Sequence, residues 1–116
     1  MSFQSDEIEE ALAAIEAKDY SAAFACLSAL AERGNPKAQC NLATLYHFGW
    51  GTEANGIKAA ELYETVAKLH IKEEHLSALA YHNLSTLYVV GAPGLNADSE
   101  KAKKYHELAK QLGFEM

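Results

Sequence analysis

The sequence predicts an all-α fold built from three antiparallel helix hairpins. Apolar residues recur at helical spacing along nearly the whole chain, and no stretch shows the sustained two-residue alternation of a half-buried strand. The segment 39–51 also returns as the segment 81–94, with Asn41 and Asn83 as equivalent residues 42 positions apart. Such an echo at fixed spacing is typical of a repeat protein, in which each unit is one helix pair.

The first hairpin is expected over about residues 6–33. Ser5 is the expected N-cap of the first helix, since a serine hydroxyl can accept a bond from a free backbone N–H. An apolar face at helical spacing follows it: Ile8, Ala11, Leu12 and Ile15. Lys18 and Asp19 form a tight break, after which a second apolar face continues to Gly34, the expected helix stop.

The second hairpin is expected over about residues 36–69. Asn35 is the predicted cap of the third helix, and Pro36 fits its first position because the N–H that proline lacks would be unpaired there. This helix is expected to end near Phe48, where two closely spaced glycines follow and allow positive φ angles. A fourth helix, beginning at about Gly56, completes the hairpin.

The third hairpin is expected over about residues 74–113, after a polar break. Its first helix is predicted to end at about Val90, where a second glycine-rich loop begins. Pro93 in that loop forbids helix continuation. Asp98 or Ser99 is the expected cap of the sixth helix.

The second helices of the three hairpins share one register of packing residues. Three positions recur in each: Leu27, Leu30 and Ala31, then Tyr63, Val66 and Ala67, then Tyr105, Leu108 and Ala109. The alanines let neighbouring helices approach closely, and the larger residues fill the gaps between hairpins. We therefore expect stacked hairpins with a continuous core, in which Leu42 and Leu84 occupy equivalent buried positions.

Length, composition and charge limit the classes of function. A chain of 116 residues suits one domain, and 49% apolar residues argue against a disordered chain. No apolar run approaches the ~20 residues of a membrane span, and the acidic N-terminal segment lacks the apolar core of a signal peptide. We therefore expect a soluble, cytoplasmic protein without membrane contact. The net charge of −6, without a basic stripe, predicts that nucleic acid is not the partner.

The sequence contains no pattern that predicts catalysis, a cofactor or a bound metal. Nucleophile-elbow, phosphate-loop and dinucleotide-binding glycine motifs are all absent. His75 and His82 lie two helical turns apart, too far to share a metal ion without a third element. Cys26 and Cys40 follow no metal-ligand spacing and are expected to be free thiols, packed as small hydrophobic residues. Trp50 leaves two interpretations open, packing against the next hairpin or an exposed contact.

The second hairpin resembles the Sel-one-like repeat, a variant of the tetratricopeptide repeat. Residues 37–46, KAQCNLATLY, match the family's first-helix pattern A-x-A-Q-x-N-L-G-x-x-Y, and the loop that follows matches its G-x-G. Residues 59–67 match its second helix. The third hairpin matches more loosely, since two residues separate Gly91 from Gly94 and Lys104 stands where an aromatic is usual. The resemblance covers nearly the whole chain from residue 6.

The resemblance implies a short right-handed superhelix whose concave side is lined by the first helix of each hairpin. That side would form a groove that holds a peptide or helix of a partner protein. Eight residues are candidate contacts by position: Lys37, Cys40, Thr44, His47, Leu79, His82, Thr86 and Val89. The expected function is a non-enzymatic interaction module or adaptor, present as a monomer or weak homo-oligomer.

Two other functions stay open beside this one. A cysteine-rich secreted branch of the family is linked to β-lactam binding and hydrolysis, so a small ligand-binding or hydrolase domain is one alternative. That branch carries a regular pair of cysteines in each repeat, which this chain lacks. The other alternative is a scaffold that self-associates end to end through its terminal hairpins. The acidic first helix and the lysine-bearing last helix look like the polar caps that a short solenoid needs.

Overall fold

The computed structural model describes the backbone of residues 3–69 and 74–113, and the side chains of residues 7–69 and 75–113. Within these ranges the chain forms six helices: α1 (Phe3–Glu16), α2 (Tyr20–Glu32), α3 (Pro36–Phe48), α4 (Gly56–Ala67), α5 (Glu74–Val90) and α6 (Ser99–Gln111). The described chain has no strand, only an isolated antiparallel bridge between Ala92 and Leu95 in the loop before α6.

The helices pair and stack in chain order. The pairs α1 with α2, α3 with α4 and α5 with α6 form the three hairpins. Successive hairpins are joined by contacts of α3 with α2, and of α5 with both α4 and α3. The chain is therefore an all-α solenoid of three hairpins, as the sequence predicts, with overall dimensions of 38 × 31 × 22 Å.

Short polar side chains cap the starts of four helices, and Asp19 caps α2 by accepting a hydrogen bond from the N–H of Ala22 at 3.3 Å. The side-chain oxygens of Asn35, Asn55 and Asp98 accept hydrogen bonds from backbone N–H groups in the first turns of α3, α4 and α6. Asp98, and not Ser99, is therefore the N-cap of α6. These bonds satisfy donors that a helix start leaves unpaired, which explains why α3 begins at Pro36 as predicted.

The predicted ends of the other helices need small corrections. Ser5 is not the N-cap of α1, because the helix begins at Phe3 and Ser5 lies inside its first turn. Helix α4 ends at Ala67, two residues before the predicted end, with Lys68 as its C-cap. Residues 70–73 of the polar break and the tail residue Phe114 lie outside the described residues.

Two core clusters connect the three hairpins. The first lies between the first and second hairpins and includes Leu27 and Leu45, both fully buried. The second lies between the second and third hairpins and includes Tyr63 and Leu84. Leu62 packs against both clusters, so the core continues from one hairpin to the next.

Each loop between the two helices of a hairpin packs on the start of the preceding hairpin's second helix. In the loop after α3, Gly51 has a φ of 76°, and a Cβ there would lie 2.3 Å from the carbonyl oxygen of Tyr20. In the loop after α5, the carbonyl of Pro93 accepts a hydrogen bond of 2.8 Å from the N–H of Gly56, the first residue of α4. Glycine at these contacts lets two backbones touch, and this contact fixes the stacking of the hairpins.

Candidate functional site

The structure places Cys40 inside the protein and not in a groove. Only 5% of its surface is exposed, and its thiol is hydrogen-bonded to the side chain of Asn83 on α5. The expectation that Cys40 faces a partner is therefore wrong. Helix α5 packs over this flank of α3 and removes the thiol from the surface.

Thr44, one turn further along α3, is also directed into the protein. Its hydroxyl donates to the carbonyl oxygen of Cys40 at 3.3 Å and lies 2.8 Å from the hydroxyl of the buried Tyr63 on α4. Burial raises the pKa of Tyr63 well above its usual range, and the bond to Thr44 opposes that shift. Thr44 therefore joins α3 to α4, whereas Lys37 at the start of α3 is exposed.

Three of the four candidates on α5 stay partly or fully exposed within the described part of the chain. His82, Thr86 and Val89 are the repeat counterparts of Cys40, Thr44 and His47. Thr86 and Val89 are exposed and His82 is half-buried, while Leu79 packs against the core. The eight candidate residues therefore do not form one surface, because the same helix position is covered in the second hairpin and uncovered in the third.

A stack of four rings lies where α3 ends. The ring of His47 stacks on Phe48 at 4.3 Å between centroids, Phe48 on Trp50 at 4.9 Å, and Trp50 on Tyr20 at 5.0 Å. We call these four residues the aromatic stack. Trp50 thus packs against α2 of the preceding hairpin, not the next one, and the stack connects the first two hairpins.

Exposed apolar side chains lie at the ends of both α3 and α5. Phe48 is 55% exposed, and Val89 and Val90 at the end of α5 are 63% and 78% exposed. Phe48 and Val90 are repeat-equivalent, since each precedes a glycine with positive φ that ends its helix. We call Phe48, Val89 and Val90 the apolar edge. Of these three residues only Val89 was predicted from the sequence as a contact, although the run Phe48 to Gly51 already placed two aromatics around a glycine.

The histidines beside these surfaces are held in their neutral form. Burial lowers the pKa of His47. Burial also lowers the pKa of His82, and His106 on α6 lowers it further through charge repulsion. Both side chains therefore add hydrogen-bonding capacity at neutral pH without adding charge.

The two cysteines are free and differ in their surroundings. Burial raises the pKa of Cys40 to about 11, although its bond to Asn83 opposes the shift. Burial, followed by Glu7 and Glu10, also raises the pKa of Cys26, whose thiol donates to the carbonyl oxygen of Glu7 at 3.4 Å. Cys26 is half-buried between α1 and α2.

This difference predicts unequal reactivity toward an alkylating reagent. In the native protein near neutral pH we expect iodoacetamide to modify Cys26 at least about tenfold faster than Cys40, because the thiolate is the reactive species and Cys40 is shielded until the chain opens. The rates are measured by mass spectrometry on Cys26→Ser and Cys40→Ser variants, each with one thiol left. Equal rates would mean that α5 does not cover Cys40.

The described part of the chain contains neither a cluster of metal-ligating side chains nor a helix that could cross a membrane. No group of three or more His, Cys, Asp or Glu side chains within it could hold a metal ion. Its helices are also too short or too polar to cross a membrane.

Comparison with known proteins agrees with this geometry. The fold defines a helical-hairpin repeat protein, and the family model "Sel1 repeat" matches residues 14–35, 36–69 and 78–114. The chain therefore belongs to the Sel1 repeat family, whose repeats generally mediate protein–protein interactions. The first matched segment contains only the end of α1 and the whole of α2, so the first hairpin departs most from the repeat pattern. A search of curated proteins gives no match.

Two solved structures show the same fold. A Sel1 repeat protein from Oxalobacter formigenes is 22% identical with a TM-score of 0.65, over 80% of this chain and 66% of that one. A protective antigen present in uropathogenic Escherichia coli strains, which displays an SLR fold, is 20% identical with a TM-score of 0.77, over 97% of this chain and 23% of that one. The present chain thus corresponds to only part of each protein.

Proposed function

We propose that this protein is a non-enzymatic interaction module, and that it binds a segment of a partner protein along α3 and the end of α5. The observation that carries the proposal is the apolar edge together with the aromatic stack. Phe48, Val89 and Val90 are exposed large side chains at equivalent ends of two neighbouring helices. We place these three side chains in one patch, because an exposed apolar patch on a domain surface usually marks an interaction site.

The aromatic stack suits a binding surface because it is already ordered. Trp50 is fixed between Phe48 and Tyr20, and His47 supports the other side of Phe48. Rings held in place lose little side-chain freedom when a partner binds, which is why aromatic residues often dominate binding energy. We therefore assign Phe48 as the central contact of the surface.

Lys37 adds a positive charge at the end of the surface opposite Phe48. It is exposed at the first turn of α3, whereas Phe48 ends the same helix. The helical rise places their backbones roughly 17 Å apart. The matching partner segment carries an apolar side chain for the apolar edge and a carboxylate or free carbonyl group for Lys37. This segment can be a short helix or an extended peptide.

The proposal revises the groove expected from the sequence. Lys37, His47 and Val89 stay in it, while Cys40 and Thr44 leave it because they are directed into the protein. Leu79 contributes to the core and serves as support. Phe48, Trp50, Tyr20 and Val90 enter it.

Site-specific photo-cross-linking tests the proposal directly. Photo-reactive benzoylphenylalanine is placed at Phe48 in one variant and at the exposed Lys104 of α6 in another, and both are expressed in the native cell. We expect a discrete cross-linked partner from position 48 and none from position 104, since only the first lies on the proposed surface.

The partner identified in this way is then purified and its affinity measured. We expect the pair Phe48→Ala and His47→Ala to weaken binding by about tenfold or more, because central aromatic contacts carry most of the binding energy. Because His47 is half-buried and both rings belong to the aromatic stack, circular dichroism and a urea melt must show that the variant is still folded. The matched comparison is Lys103→Ala with Lys104→Ala on α6. If the lysine pair abolishes binding and the first pair does not, the proposed surface is wrong.

A further inference from the structure

A concave surface lies between α5 and α6 and includes Val89 of the apolar edge. It is an open groove with a volume of about 420 Å³, lined by six residues: Ser85, Val89, Ala102, Lys103, His106 and Glu107. Ser85 is buried and its hydroxyl donates to the carbonyl oxygen of Ala102 at 2.9 Å, so the floor of the groove joins the two helices. We call this surface the terminal groove.

The corresponding place in the second hairpin is already filled by a helix. Helix α5 packs on both α3 and α4, and Cys40 is buried there. The repeat counterpart of Cys40 is His82 on α5, which is half-buried. The groove between α5 and α6 therefore corresponds to the groove between α3 and α4, which α5 fills. By this repetition, its natural occupant is one further helix of the first-helix type.

The outer side of α1 is exposed and carries both a charged and a small apolar residue. Helix α1 directs Ile8 and Ala11 into the core, so by helical spacing Glu10 and Ala13 lie on its opposite side. In α3, two residues with the same spacing of three, Leu42 and Leu45, face the preceding hairpin. Glu10 and Ala13 are exposed, and neither belongs to the core of its own chain.

The two ends of the solenoid also carry opposite charges. Three glutamates are exposed on α1: Glu9, Glu10 and Glu16. Helix α6 carries four exposed lysines, Lys101, Lys103, Lys104 and Lys110, against two exposed glutamates, Glu100 and Glu107, which leaves a net charge of +2. Lys103 is the one that lines the terminal groove, across from Val89. Opposite charge on the two ends favours contact of one end with the other, and disfavours contact of like ends.

We propose that the terminal groove binds α1 of a second copy of this chain, so that the hairpin stack continues from one molecule to the next, head to tail. Glu10 of one copy then lies against Lys103 of the other, and Ala13 lies over Val89. The contact is weak and sensitive to salt, because the groove also contains Glu107 and both surfaces are hydrated in the monomer.

Sedimentation velocity over a concentration series tests this arrangement with the full chain. We expect the weight-average mass to rise continuously with concentration beyond a dimer, since each added copy leaves both end surfaces free. The increase should be smaller at about 0.5 M than at about 0.05 M sodium chloride, because screening weakens contacts between exposed charges. A mass that stays monomeric throughout would overturn the proposal.

Charge reversal identifies the surfaces. Lys103→Glu and Glu10→Lys are each expected to weaken association by about tenfold or more, because each puts like charges together. The double variant should associate again, since the pair is restored with its signs exchanged. Lys68→Glu, at the end of α4 and away from both ends, is the control and should leave association unchanged. Circular dichroism confirms that each variant is folded.

Failure of the double variant to associate, with both single variants folded, would mean that these residues do not meet. Loss of association in Lys68→Glu as well would show that net charge alone controls it, and would also overturn the proposal. Val89 belongs to both surfaces, but the substitutions tested here are at Glu10, Lys103 and Lys68 and leave Phe48 and Val89 unchanged, so their outcome is distinguishable from that of the Phe48 experiments.

Discussion

Replacing Gly51 with alanine is expected to lower the free energy of unfolding by about 3 kcal/mol or more, among the larger effects of a single substitution. Gly51 has a φ of 76°, and an added Cβ would lie 2.3 Å from the carbonyl oxygen of Tyr20 and 2.6 Å from its carbonyl carbon. Both are backbone atoms at the start of α2, so the contact can be relieved only if the loop moves away from that helix.

Urea unfolding followed by tryptophan fluorescence measures this effect. Trp50, the single tryptophan, stacks on Tyr20 beside the contact, so the native emission should change together with the midpoint. Gly34→Ala is the matched control. Gly34 has a similar φ of 85°, but no atom lies within 4 Å of the added Cβ, and the cost should be about 1–2 kcal/mol. Equal losses in the two variants would mean that the loop does not pack on α2.

The helices that the sequence predicts best are those with local signals at both ends. Helix α3 runs from Pro36 to Phe48 as predicted, because Asn35 caps its start and Gly49, with a φ of 72°, ends it. Helix α1 begins at Phe3, two residues before the Ser5 that the pattern indicated. Local hydrogen-bonding chemistry therefore explains why the ends of α3 were predicted correctly.

The candidate site was less predictable, because helical spacing gives a face but not what covers it. Cys40 and His82 have the same position in the repeat, yet α5 buries the first and no helix of the described chain covers the second. The aromatic stack depends on the path of the loop after α3, where Gly49 and Gly51 both have positive φ. Nothing in the spacing of Phe48 and Trp50 predicts that their rings meet.

Truncation of Leu84 to alanine is expected to lower the free energy of unfolding by about 2–5 kcal/mol. Leu84 is fully buried in the core cluster between the second and third hairpins, close to Tyr63 and Leu87 in the same cluster. The neighbouring helices α4 and α6 already pack closely at their alanines. They therefore cannot move inward to fill the space that the missing side chain leaves. The loss should therefore include a cavity term as well as the lost burial.

Two further variants test whether the loss of stability is specific to the buried leucine that recurs in each repeat. Leu42→Ala removes the equivalent residue of α3, which is 6% exposed in the first core cluster, and should cost a similar amount. Leu69→Ala deletes the same atoms from a side chain that is 40% exposed, and should cost about 1 kcal/mol or less. Urea melts are compared at one pH and temperature. If Leu84→Ala and Leu69→Ala unfold at the same midpoint, Leu84 does not fill the space between hairpins. The 42-residue register that relates α3 to α5 would then lose its physical basis.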